Sequence, residues 1–358
     1  MEMSVKESSL AVKGKVVNIG VDVHRRSWRV TARVEGVIVL SGSSPPSYQA
    51  FKTLLRRFDG ATVRVAYEAG PAGFALYDRL TQDGVECIVT PPSLIPTESG
   101  NRVKTDKIDS YKLARLLEGN LLKRVWVLSA EQRAQRQLVR TRRQISDHRA
   151  DVMRQLKSLL LFHGIQTPVE GSPQWTPAYL NGLRTIDLGE IYLNLSLRAL
   201  LDLFDSLSQQ KKQLTREVEQ LAQSQTYANR VRLLTSIPGV GPLSAMEILV
   251  ELQDVDRFVR ADQLAAYLGL TPSQYSSGER IRMGHITHTG NSRVRTTLIE
   301  CCWFLIARDP WMLHKYQSIK IRRGAKRAIV AVARLLSLRI RRMLLDGVPY
   351  RVAPAAAS

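Results

Sequence analysis

The chain has 358 residues, with 52 Lys plus Arg against 32 Asp plus Glu, a net charge of +20 and a pI near 10.2. That length can bury a sizeable core in two or three domains, and so large a surplus implies a polyanionic partner, because each phosphate neutralised releases condensed counterions. The absence of any run of about 18 apolar residues, of a signal peptide and of a lipidation motif argues against a membrane as that polyanion; Cys87, Cys301 and Cys302 lack paired-ligand spacing and are expected to be reduced, buried thiols of a cytoplasmic protein.

Residues 1–14 are polar and expected to be flexible. Apolar or alternating runs at 16–23, 27–34 and 37–40, broken by His24-Arg-Arg26 and Glu35-Gly36, predict three strands joined by tight turns. A helix at 47–58, a strand at 62–68, a helix at 74–83, a strand at 85–90 and a helix at about 107–119 follow. The order βββαβαβα predicts a mixed sheet with helices on both faces, the order of the RNase H-like fold. That fold also hosts proteins that are not nucleases, so order alone does not give function.

From Glu131 to His163 one long helix is expected, with Leu138, Ile145, Val152 and Leu159 seven apart and an arginine-rich polar face. A Pro/Gly-rich stretch from Ile165 to about Gly189 breaks the pattern. A second long helix carries Leu193, Leu197, Leu200, Phe204, Leu207, Lys211, Leu214, Val218 and Leu221. Their alternating spacing of four and three makes a coiled-coil seam, with Lys211 its polar member. The seam could pack on the first helix as an intramolecular hairpin, or pair with a second copy. A compact helical region is expected from about Asn229 to Leu345, and a disordered tail after it.

Chemistry concentrates in three places. The first is four acids: Asp22 in an apolar strand, Glu68 at a strand end, and Asp106 and Asp109 in Thr105-Asp-Lys-Ile-Asp109 entering a helix. Singly they could be an edge-strand acid, a cap of the Gly70-Pro71 turn, and first-turn helix acids. Together on an RNase H-like sheet they converge, because the first and fourth strands are neighbours and the last helix packs beside them. Asp106 and Asp109, three apart, share a helix face. Clustered carboxylates repel without a cation, and hard oxygen ligands suit Mg²⁺.

The second place is Ser236-Ile-Pro-Gly-Val-Gly-Pro-Leu-Ser-Ala245, which resembles a helix-hairpin-helix whose turn glycines let backbone N–H groups reach a phosphate. An ordinary helix turn is the alternative. The third is a glycine-bordered loop, Gly269-Leu-Thr-Pro-Ser-Gln-Tyr-Ser-Ser-Gly278, followed by Arg280, Arg282, His285 and His288. It could hold a nucleophile or bind phosphate, and the residues alone leave both open. The two histidines lack a second ligand pair for zinc. Downstream, Arg293, Arg295, Lys320, Arg322, Arg323, Lys326 and Arg327 add charge suited to a nucleic-acid backbone.

The acids in this order, a long helical hairpin, Ile-Pro-Gly-x-Gly and Gly-Leu-Thr-Pro-x-x-Tyr-x-Ser-Gly together resemble the DEDD transposases of the insertion-sequence-110 family, the bridge recombinases, which are related to Piv-type DNA invertases. The resemblance covers about residues 15–345. It implies a RuvC-like DEDD domain at 15–125, a helical coiled-coil linker at 126–228 and a helical C-terminal serine transposase domain at 229–345, between a flexible 1–14 and a disordered 346–358. It further implies that Asp22, Glu68, Asp106 and Asp109 hold Mg²⁺ and that Ser277 attacks DNA to form a phosphoserine link, with Ser276 the adjacent hydroxyl. Donor and target DNA would be chosen by a structured bridge RNA. The protein would be a bacterial, nucleoid-associated tetramer in which domains of different subunits complete each site. Two positions depart from the pattern: Ser276 before Ser277, and His288 in place of a Lys.

A serine hydroxyl needs a base or a metal to be nucleophilic, and a covalent intermediate conserves phosphodiester energy for rejoining. Three rival functions remain on the residues alone. One is a metal-dependent structure-specific nuclease in which Ser277 only binds phosphate. The second is a protein-guided invertase, and the third a nucleic-acid scaffold without activity.

Overall fold

The computed structural model describes residues 12–96, 106–165, 175–277, 280–286 and 289–352, with backbone alone for 106–107, 274–277 and 280–283. Residues 1–11 of the expected flexible N-terminus, residues 353–358 of the expected disordered tail, Gly278 and His288 lie outside the described residues. Internal contacts divide the chain into two units, 1–128 and 129–358.

The first unit has the expected element order: β1 (Val16–Val23), β2 (Trp28–Val34), β3 (Val37–Ser44), α1 (Tyr48–Leu55), β4 (Thr62–Glu68), α2 (Ala75–Gln82), β5 (Glu86–Thr90) and α3 (Asp106–Glu118). The sheet runs β3-β2-β1-β4-β5. Strands β2 and β1, and β3 and β2, pair antiparallel, whereas β4 lies parallel to β1 and β5 parallel to β4. This mixed topology is consistent with the RNase H-like expectation. Strand β3 continues to Ser44, past the expected end at Leu40, because Ser41, Gly42, Ser43 and Ser44 pair with β2. An edge strand needs only one ladder and little apolar content, so hydropathy understates it.

Both faces of β1 are covered, which explains its near-continuous apolar run. Val17, Ile19 and Val21 join Phe51, Leu76 and Leu80 of α1 and α2 in one core. The alternate residues face α3. There Gly20 sits so close that a Cβ would lie 2.1 Å from the Ser110 carbonyl oxygen and 2.5 Å from the Ala114 nitrogen. On β4, Ala66 packs with Leu117 of α3. The far end of α3 is tied down by Glu118, which accepts from Arg33 Nε and the Gly36 N–H, both at 2.8 Å.

Burial pushes the Glu118 carboxyl up, but the Gly36 N–H and Arg33 outweigh it and hold it below its ordinary 4.5. A depressed carboxylate contributes stability above the unfolded value and loses it as pH falls through the lower folded one. Glu118→Gln should therefore cost about 1 kcal/mol at pH 7. Urea midpoints of the two proteins should converge as the pH drops below the ordinary carboxylate range.

The second unit begins with α4 (Ala130–Phe162), started by a capping box between Ser129 and Gln132, then α5 (Pro177–Thr185) and α6 (Ile191–Ala222). Helix α5 lies inside the stretch read as a pattern break; Thr176 caps it and Pro177 opens it. The seam of α6 is spent within the chain. Leu197, Phe204 and Leu207 bury with Val152, Leu156 and Leu160 of α4 and with Tyr179 and Leu183 of α5. Lys211 lies along this packing, and desolvation, then Arg149 and Arg142, lower its pKa. Lys211→Met should stabilise the hairpin by about 1 kcal/mol, because an apolar side chain removes the desolvation cost. A thermal midpoint that stays put or falls would contradict this.

The remainder comprises α7 (Ala228–Thr235), α8 (Pro242–Leu252), α9 (Ala261–Tyr267), β6 (Pro272–Ser277), β7 (Arg280–Ile286), α10 (Ser292–Leu305), α11 (Pro310–Arg323) and α12 (Ala325–Asp346). The helices share a core that includes Leu249, Leu298, Cys302 and Leu336. The region expected to be helical thus contains an antiparallel strand pair, and the glycine-bordered loop is its first strand. Tyr-Ser-Ser lacks the apolar alternation that marks a strand. All three cysteines are free and buried, and burial pushes Cys301 up to about 11 and Cys87 to about 12. Among the described residues, no helix is long and apolar enough to cross a membrane.

Candidate active site

Strand register brings the first two acids together. Val21 pairs with Tyr67 across the parallel β1–β4 ladder, and Asp22 and Glu68 each follow by one residue. Side chains alternate along a strand, so Asp22 shares the face of Gly20, and Glu68 that of Ala66. Both of those residues meet α3. The two carboxylates therefore leave neighbouring strand ends on the side covered by α3.

The direction of α3 brings the other pair to the same end. Glu118 reaches Arg33, which pairs with Asn18, whereas Ser110 reaches Thr31, which pairs with Gly20. The helix thus runs back along β1, and its N-terminal turn with Asp106 and Asp109 lies toward Asp22. A buried hydrogen bond of 2.9 Å between Thr31 Oγ1 and Ser110 Oγ pins the residue next to Asp109. Asp22, Glu68 and Asp109 are each partly buried. The side chain of Asp106 lies outside the described set.

Two residues here were not singled out from the sequence. His24 Nε2 stands 3.0 Å from Oδ2 of Asp22, which places an imidazole on the first acid. Its signal was only an i, i+2 spacing within a turn. Gly20 was read as one more member of an apolar run, yet it is the position that admits α3. Among the described residues no three His, Cys, Asp or Glu side chains stand close enough to form a metal cage. The set that could hold a cation is Asp22, Glu68, Asp109 and Asp106, all hard oxygen donors.

In the second unit, Tyr275, Ser276 and Ser277 lie on β6 opposite Arg282, Ile281 and Arg280 of β7. Ser277, paired with Arg280, is the last residue of β6. The base of this strand pair is tightly closed. A Cβ on Gly269 would lie 2.0 Å from the Thr289 oxygen, and one on Gly290 would lie 2.1 Å from the Tyr267 oxygen. Both glycines also have positive φ, at 65° and 86°.

Beside Gly290, Asn291 caps α10 and donates from Nδ2 to Glu251 at 2.8 Å. Glu251 is 3% exposed and receives Arg140 through two hydrogen bonds of 2.6 and 2.8 Å. Arg140 belongs to the arginine-rich polar face of α4, and several other arginines of that face are also engaged within the chain. Arg142 bonds Thr215, Arg143 pairs with Glu247 and Glu300, and Arg149 bonds Ser208 and covers the Phe204 ring. Heptad periodicity identified the apolar stripe of α4 but could not show that acids from α8 and α10 meet its basic side.

The helix-hairpin-helix resemblance falls on the turn between α7 and α8. Gly239 has φ of 88°, and a Cβ there would lie 2.6 Å from Phe304 Cβ and 2.9 Å from the Cys301 oxygen. Packing on α10 thus accounts for Gly239. Gly241, the N-cap of α8, has open space around it.

Two family models match the chain. The IS110 DEDD model, described as Transposase, covers residues 19–164, and the model described as Transposase IS116/IS110/IS902 family covers residues 231–317. The chain belongs to the IS110 family of transposases. The four acids fall within the first matched range and the β6–β7 pair within the second.

Individual relatives agree. The y4qE protein of Sinorhizobium fredii, described as a transposase, is 34% identical over 71% of this chain and 61% of its own length. The transposase for insertion sequence element IS1533 of Leptospira borgpetersenii is 26% identical over 66% of this chain and 70% of its own. The y4rJ protein of S. fredii, also described as a transposase, is 29% identical over 75% and 74%. The match thus spans about three fifths of the first of these relatives.

Proposed function

We propose that this chain is a DNA transposase that cuts and rejoins strands through a serine–phosphate link. In this reading Asp22, Glu68, Asp106 and Asp109 hold Mg²⁺, and Ser277 is the nucleophile. The observation that supports it most is the position of Asp22 and Glu68, each one residue past the last pair of the parallel β1–β4 ladder and on the side covered by α3. When bound, the cation would polarise the phosphate and stabilise charge developing on it.

The chain's own residues do the rest. Asp22 and Glu68 are carried by the sheet and Asp109 adjoins the Ser110–Thr31 bond, and binding a cation would draw these carboxylates together from the spacing they have here. His24 on Asp22 orients that carboxylate. Ser277 Oγ forms a bond to phosphorus as one phosphorus–oxygen bond to a deoxyribose breaks, and the serine proton ends on the departing oxygen. The released hydroxyl can later reverse the step on another strand, which conserves the phosphodiester without ATP. Selection of donor and target DNA by a bridge RNA, and assembly as a tetramer, are parts of the same proposal that rest on the family resemblance.

Incubation with DNA and Mg²⁺ followed by denaturation separates this from hydrolysis. The expected product is a denaturation-resistant protein–DNA adduct, absent in Ser277→Ala. DNA cut to free ends with no adduct would instead favour the nuclease. Sequencing copurified RNA addresses guidance: a discrete structured RNA is expected, and its absence would favour a protein-guided invertase.

A further inference from the structure

Helices α11 and α12 meet at Gly324, and five cations crowd this corner: Lys320, Arg322, Arg323, Lys326 and Arg327. All five are exposed, and the same corner carries Ile321 at 86% exposure. Among the described residues no carboxylate forms an ion pair with any of them. Arg322 Nε donates to the Ser318 carbonyl oxygen, and Lys320 lies 5.8 Å from the Tyr316 ring centroid.

Helix stability explains only part of this set. Lys320, Arg322 and Arg323 occupy the last turn of α11, where cations complement the negative end of the macrodipole. Lys326 and Arg327 occupy the first turn of α12, where the dipole opposes them. That turn has no acid and no side-chain cap. Two cations are thus placed where folding alone disfavours them, beside three more that raise the repulsion. An external polyanion relieves both costs.

We propose that the α11–α12 corner grips the sugar–phosphate backbone of duplex DNA. Residues 317–330 include no aromatic side chain, and the Tyr316 ring beside Lys320 is only 8% exposed, so the corner presents no open ring of the kind on which single strands stack. Its cations lie on two successive helix ends, suited to neighbouring phosphates, and Ile321 between them suits contact with deoxyribose. This surface rests on the reading of the chain as a DNA-acting transposase and supplies that reading with a backbone contact away from the candidate nucleophile strand.

The test is fluorescence anisotropy of the full chain on labelled duplex DNA of arbitrary sequence and on duplex RNA of the same sequence, across a salt series. The variant carries Lys320→Gln, Arg322→Gln, Arg323→Gln, Lys326→Gln and Arg327→Gln. A charge-matched variant replaces the exposed Arg56, Arg57, Arg198, Lys212 and Arg216 with Gln. Each phosphate contact contributes about 0.9 to the slope of log K against log salt, so the corner variant should lose about 4 units of slope on DNA. Its affinity should fall on the order of ten-thousandfold at ~0.1 M salt, while the charge-matched variant loses less than about one unit of slope. An unchanged slope, an equal loss in the charge-matched variant, or a loss confined to RNA would overturn the assignment. A parent protein that fails to bind DNA would instead count against the transposase reading itself. No cleavage is needed, so the outcome is independent of Ser277.

Discussion

Gly20→Ala should destabilise the first unit by about 3 kcal/mol and abolish any activity that depends on its acids. The added Cβ would meet two backbone atoms of α3, at 2.1 Å and 2.5 Å, and neither can rotate away as a side-chain tip could. Either α3 lifts from β1 or the strand bends. Both break the Thr31–Ser110 bond and move Asp109 and Asp106 away from Asp22 and Glu68. Gly70→Ala is the matched control, since a Cβ there has nothing within 4 Å. Urea unfolding and magnesium titration calorimetry should show Gly20→Ala impaired in both and Gly70→Ala close to the parent. A Gly20→Ala protein with parental stability and metal affinity would mean that close docking of α3 does not set the acid geometry.

Glu251→Ala should cost about 3 kcal/mol in the second unit, because it leaves Arg140 and Asn291 without their buried acceptor. The lower end of the range for a broken buried pair applies, since the Arg140 side chain is 31% exposed. The loss should reach beyond stability. Asn291 follows Gly290, and Gly290 closes the strand pair that carries Ser277, so amide exchange across β6 and β7 should accelerate. Replacing Arg140→Met together with Glu251→Met should recover part of the stability, as the apolar pair carries no desolvation cost while Asn291 and Arg136 still lack the acceptor. If the double substitution is as unstable as Glu251→Ala alone, packing rather than the unpaired charge is responsible.

Why some of this was legible in the sequence and some was not follows from the range of each signal. Strand and helix order in the first unit came from local periodicity, and the mixed sheet follows from it. Asp22 and Glu68 stood out because each interrupts or ends an apolar strand. Which face they take depends on where α3 sits, and that rests on Gly20, whose missing side chain gives no hydropathy signal. The coiled-coil seam was readable, but its partner was not, because a heptad pattern is the same whether the second helix belongs to the chain or to another copy. The partners of the α4 arginines were hidden for a similar reason: Glu247, Glu251 and Glu300, which engage them, lie about a hundred or more residues away. The strand pair at Ser277 was read as a loop because hydroxyls and glycines carry no alternation, and only pairing with β7 makes it a strand.

In the proposed reaction Ser277 bonds to phosphorus in a step that depends on Asp22, Glu68, Asp106 and Asp109. Mass spectrometry of the adduct tests it most directly. The full chain is incubated with DNA and Mg²⁺, denatured, digested with nuclease and protease, and the nucleotide-bearing peptide is sequenced. The expected result is a nucleotide ester on Ser277, lost when Asp22→Asn or Asp109→Asn is introduced. A nucleotide on Ser276 or elsewhere, or an adduct that forms equally well in the Asp22→Asn protein, would contradict it.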